Sequence, residues 1–145
     1  MQVVVNALST PELYKPLDCP LPASTWGSED ANELIPDRLR EALIDRGRYI
    51  ARTGDDDVRP LVKWFTPDAG ATWLIVSLDP DMTSLAYGLC DLGLGTPELG
   101  SVSVAEISEL RGAMGLPVER DLHFMAEHKL GEYADRARRA GTVHA

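Results

Sequence analysis

The sequence predicts an α+β fold: an antiparallel sheet of three to five strands with about three flanking helices. Three observations carry this expectation. Runs rich in β-branched and aromatic residues fill the middle of the chain, joined by turns too short for a crossover helix. Segments with helical apolar spacing lie before and after them. The 145 residues are 44% hydrophobic and 26% charged, which suits one ordinary globular core.

Residues 1–33 read as a Pro-rich N-terminal extension, and residues 34–145 as a single α+β domain. Pro11, Pro16, Pro20 and Pro22 break helix and central strand alike, leaving residues 2–8 as a short candidate edge strand. The expectation is a loosely docked lead-in, for which Leu13, Tyr14, Leu17 and Trp26 are the available anchors.

A helix is expected from Pro36, because proline suits the first helical position. Leu39, Ala42, Leu43 and Ile50 mark its apolar face; Arg38, Arg40, Glu41, Asp45 and Arg48 mark its polar face. Gly54 and Asp55, Asp56 and Asp57 end it. Strands follow at residues 59–65, 72–78, 84–92 and 98–104, with turns at 66–70 and 79–81. Ser103 and Glu106 have capping-box spacing, so a short helix should run to about Gly112. Residues 118–124 read as a fifth strand. Leu130, Tyr133, Ala134 and Ala137 then recur at helical spacing. Arg136, Arg138 and Arg139 stand where cations complement the helix dipole, and Gly141 is the stop.

Several stretches occur in a familiar order: Leu34-Ile35-Pro36, residues 62–68 (VKWFTPD), Ala71-Thr72-Trp73-Leu74, residues 87–95 (YGLCDLGLG), Pro97-Glu98-Leu99-Gly100, and residues 119–124 (ERDLHF). Together they resemble a bacterial family catalogued as domain of unknown function 2958, over about residues 34–141. The resemblance implies a bacterial source and frequent carriage on plasmids or other mobile elements. It implies no activity.

The net charge is −9, and residues 55–109 alone carry two bases and ten acids. Such a field disfavours direct binding to nucleic-acid phosphates, which needs clustered Lys and Arg. No apolar run approaches the roughly 20 residues that span a bilayer. The N-terminus lacks the charged start and apolar run of a signal peptide. The two cysteines have no CxxC spacing. A cytoplasmic protein without membrane contact is the expectation.

The candidate chemistry centres on two places. The glycine-rich stretch around Cys90, Asp91 and Glu98 lacks both the Gly-Lys-Ser/Thr ending of a P-loop and the GxGxxG fingerprint, so no nucleotide or other cofactor is expected. Its glycines read first as a sharply folded structural loop. Asp121 and His123 would share one face of a strand. With Asp91 or Glu98 nearby they become candidates for a divalent metal, against the plainer reading of a hydrogen-bonded Asp–His pair or an ion pair to Arg120. Cys90 with His123 and an aspartate is a candidate thiol nucleophile, or simply a small buried hydrophobe.

The leading functional expectation is a non-catalytic interaction module, whose acidic surface binds a protein partner as some anti-restriction and anti-CRISPR proteins do. The alternative is a small enzyme or ligand-binding domain built on Asp91, Glu98, Asp121 and His123. Convergence of those four side chains in one pocket would favour the enzyme; their dispersal would favour the module.

Overall fold

The computed structural model of the chain describes residues 21–145; the proposed strand at 2–8, Leu13, Tyr14, Leu17 and three of the four prolines lie outside them. A 3-10 turn at Ala23–Trp26 precedes helix α1 (Asp37–Thr53). Strands β1 (Val62–Phe65), β2 (Thr72–Leu78), β3 (Leu85–Asp91) and β4 (Glu98–Ser103) follow, then a short helix α2 (Val104–Glu109), strand β5 (Glu119–Arg120) and helix α3 (Leu130–Ala140). The strands form one antiparallel sheet in the order β4-β3-β2-β1-β5. The expected α+β meander is therefore present.

Strand β2 explains why the sheet sits at the centre. From Trp73 to Leu78 every residue is buried, which requires cover on both faces. Trp73 and Ile75 join Trp64, Val62 and Ala86 in the core under Leu39 and Leu43 of α1. Leu74 and Val76 point the other way, into a second core with Leu130, Tyr133, Ala134 and Ala137 of α3. The apolar stripes read from the sequence are the stripes that cover the two faces. A bulge between Ile75 and Ser77 shifts the pairing with β3, re-aiming the end of the strand.

Helix α3 has no side-chain cap of its own at Lys129. Asp57, from the loop after α1, supplies one: its Oδ1 accepts the Gly131 N–H at 2.8 Å. The acidic loop thus satisfies a free donor at a helix start, where a carboxylate also complements the dipole.

Five details correct the sequence reading. Pro36 is the residue before the helix, with extended ψ of 156°, and Asp37 is the first helical residue. The first strand starts at Val62 rather than at 59. Helix α2 ends at Glu109, short of Gly112, and of the capping box Ser103 Oγ accepts Glu106 N–H at 3.2 Å. The fifth strand is only two residues long, because Asp121 folds the chain into a turn: its Oδ1 accepts the His123 N–H at 2.8 Å. Lastly, residues 21–34 are not loosely docked. Trp26 and Leu34 enter the core, and buried Arg120 donates to the carbonyls of Glu33, Ser28 and Asp30 at 2.9, 3.1 and 3.3 Å. Trp64 Nε1 donates to Leu34 O at 3.1 Å. One guanidinium thus binds three carbonyls of an irregular segment, of which Asp30 O also accepts the Glu33 N–H at 3.0 Å.

Candidate functional site

The six sequence-derived candidates do not converge on one site: Cys90 and Glu98 are partners across β3 and β4, Asp121 and His123 share a turn, and the two pairs lie apart. Asp91 is fully buried at the end of β3. Its Oδ1 accepts Gly93 N–H at 2.8 Å, and its Oδ2 accepts Val143 N–H at 2.9 Å and Thr142 Oγ1 at 3.0 Å. Burial pushes its pKa up, but the three donors outweigh it and hold the carboxyl below its ordinary value. These three bonds fold the glycine loop and pin the segment after α3.

Cys90 and Glu98 face each other across β3 and β4, on the side of the sheet opposite to Asp91. The Cys90 thiol lies 3.9 Å from the carbonyls of Gly88 and Gly100. Burial, reinforced by the Glu98 charge, pushes it up to about 11. A thiol so held is a poor nucleophile at neutral pH, which favours the plain structural reading of this cysteine. Arg120 is spent on the carbonyls of residues 28–33, not on a carboxylate site.

Asp121 and His123 lie across the sheet. Asp91 pairs with Thr72, Thr72 with Phe65, and Phe65 with Glu119. Three strand spacings put about 14 Å between Asp91 and the strand that leads to Asp121. Asp121 and His123 do not share a strand face as expected, since both lie in the turn after β5. Asp121 Oδ2 stands 3.5 Å from Lys63 Nζ, and that ammonium also donates to the backbone oxygen of Ala145 at 2.9 Å.

Around this turn lies a cleft of about 430 Å³ lined by Asp121, His123, Glu127, His128, Arg136 and His144, with apolar walls from Phe124, Met125 and Tyr133. The sequence reading missed His128 and His144. They are 5 and 21 residues from His123, and only the docking of α3 and of residues 142–145 brings them to it. Among the described residues, no three His, Cys, Asp or Glu side chains are grouped closely enough to hold a metal ion.

A second feature lies at the end of the sheet where β1 turns into β2 and β3 into β4. Asp68, in the first turn, accepts the N–H groups of Met114 and Leu116 through Oδ2 at 2.6 and 3.3 Å. Gly112 sits so close to that carboxylate that a Cβ there would fall on it. Gly93 packs on the Gly70 backbone and has φ of 81°, which meets the glycine requirement expected of this loop. Three loops are thereby held side by side. They leave Leu92, Leu94 and Met114 in solvent, at 60%, 77% and 81% exposure, with Leu110 and Leu116 also exposed.

With the fold and these two features in place, comparison with known families gives one match. Residues 34–144 fit the model of the family described as Protein of unknown function (DUF2958). The chain belongs to this family. The match covers all the regular elements from α1 to α3 but stops short of Trp26 and the carbonyls that Arg120 binds. No curated protein and no solved structure matches the chain. No helix among the described residues is long and apolar enough to cross a membrane.

Proposed function

We propose that the protein is a non-catalytic interaction module that docks onto a protein partner through the three-loop end of its sheet. The observation that carries this reading is the joint exposure of Leu92, Leu94 and Met114 on loops that are internally fixed by Asp68, Asp91 and the Gly70–Gly93 contact. Exposed large apolar side chains on ordered loops mark contact surfaces, and a preformed loop loses little entropy on binding.

The dispersal of Asp91, Glu98, Asp121 and His123 weighs against the enzyme alternative. Charge supports a basic partner. Glu98 and Glu109 are exposed directly beside the apolar loops, and Arg111, the base among them, donates to its own neighbours' carbonyls at Ser108 and Leu110. A protein whose nucleic-acid-handling surface is basic, with an apolar pocket inside it, fits this chemistry. An anti-restriction or anti-CRISPR role suits the same chemistry; the family resemblance implies carriage on mobile elements and no activity of its own.

The experiment is affinity capture from a bacterial host, with wild-type protein and an L94D/M114D variant as baits. A basic, nucleic-acid-handling protein held by wild type, lost from the variant and released by rising salt is expected. Equal capture by both baits would refute docking through this end.

A further inference from the structure

The bulge in β2 puts a hydroxyl where strict alternation would not. Val76 belongs to the core on the α3 side of the sheet, so alternation alone would turn Ser77 to the α1 side. The bulge instead sets Ser77 opposite Tyr87 of β3, whose partner on β4 is Ser101. Three hydroxyl side chains thus form one row across three strands. All three line a cavity of about 300 Å³ at the end of the sheet where β2 turns into β3. Its other walls are largely apolar, with Ile50 and Ala51 from the last turn of α1 and Leu78, Pro80 and Leu85 from the turn between the strands.

The charge in this lining has one sign. Asp56 and Asp79 are its ionisable carboxylates, and among the described residues it holds no Lys, Arg or His. Asp56 Oδ2 accepts the Tyr87 hydroxyl at 2.9 Å, and Asp79 Oδ1 accepts the Asp81 and Met82 N–H groups at 2.8 and 3.0 Å. The second oxygen of each carboxylate has no hydrogen bond to a described residue. Neither has the Ser77 hydroxyl, although Ser77 is only 5% exposed. A buried polar group without a partner in its own chain calls for one from elsewhere. The last turn of α1 adds the negative end of its dipole. We propose that this cavity binds a small aliphatic amine in its ammonium form. The ammonium donates to the free carboxylate oxygens and the hydroxyl row, and the stem lies along the apolar walls. The cavity is already open in the free protein, and its volume is at the small end of the range for ligand pockets. It lies at the opposite end of the sheet from the apolar loops, so it stands or falls independently of partner docking.

The test uses the full chain and two probes of equal length, hexylamine as its hydrochloride at neutral pH and hexanol. Binding is followed through the backbone amide shifts in nuclear magnetic resonance. Saturable shifts around Gly47, Ser77 and Leu85 are expected for hexylamine, with affinity at least about threefold above that of hexanol. S77A removes a hydroxyl that has no bond to lose, so the melting temperature should hold while hexylamine affinity falls about fivefold. D56N/D79N keeps an acceptor for each loop bond and should bring the amine down to the level of the alcohol. If that variant unsettles the turn, S77A and A51L decide. A51L, at an exposed position of α1, should block both probes. Amine binding no tighter than hexanol, or indifferent to S77A and A51L, would mean an apolar cavity alone or ion pairing spread over the acidic surface, and would overturn the proposal.

Discussion

The buried carboxylate of Asp91 accepts the Val143 N–H at 2.9 Å across 52 residues of chain. The end of β3 is thereby tied to the segment that follows α3. This carboxylate is one of ten acids that make residues 55–109 strongly negative. Asp55 and Asp56 accept the hydroxyls of Tyr49 and Tyr87. Asp57 caps α3, Asp68 folds the loop at Met114, and Asp79 folds the turn at Asp81 and Met82. Six of the ten acids thus hold loops in place, and what looks like a binding field in the sequence is in large part scaffolding.

Asp91→Asn should cost about 2–3 kcal/mol, because a charged acceptor of three hydrogen bonds is replaced by a neutral group with one oxygen. The pH dependence has a definite sign. The folded carboxyl titrates below its ordinary value. Its contribution is therefore complete above the unfolded value near 3.9 and is lost as pH falls through the folded one. Chemical denaturation from pH 7 to pH 3 should show wild type losing more stability than the variant. Parallel curves would remove Asp91 as the cause.

Gly47→Ala should destabilise, although alanine favours a helix by about 1 kcal/mol. The new Cβ would fall on the Leu78 carbonyl and force α1 off the sheet. A net cost of about 1–3 kcal/mol follows from overpacking. Gly100→Ala meets open space and is the control. Thermal melts of the two should diverge; equal melting temperatures would mean that α1 does not lie on β2 this closely.

Arg120→Ala should cost about 3 kcal/mol or more, through three lost charge-assisted bonds and the carbonyls of Ser28, Asp30 and Glu33 left without them. The more telling readout is local. Limited proteolysis should begin within residues 21–34 of the variant, where wild type resists. Arg120→Lys should rescue only in part, since an ammonium lacks the planar fork that spans the three carbonyls.

Cys90 should be inert. Its thiol is pushed up to about 11, so at pH 8 the thiolate is scarcer than for a free cysteine by on the order of a hundredfold. In a C19S background, a chromogenic thiol reagent should label Cys90 in the folded protein correspondingly slower than in denaturant. Fast labelling of the folded protein would revive the nucleophile reading.

Local chemistry decided most of the secondary structure. Leu39 and Leu43 declare the face of α1, Tyr133 and Ala137 that of α3, and short turns at 66–70 and 79–81 leave no room for a crossover, so the strands they join had to pair antiparallel in sequence order; the return of β5 to the edge beside β1 was not legible in this way. Such signals act over a few residues and survive being read one segment at a time. Whether neighbours share a site does not. Asp121 and His123 were picked for their spacing on a strand, but the Asp121 side chain bends the chain before that strand can form.

Only the tertiary structure decided what the polar residues do. It turned Asp91 from a candidate ligand into a tie, sent Arg120 to carbonyls about 90 residues away, and gathered three histidines from 22 residues of sequence into one cleft. The reason is physical. A carboxylate, a guanidinium or an imidazole takes its role from the donors and acceptors that packing brings within about 3 Å, and those partners lie far off along the chain.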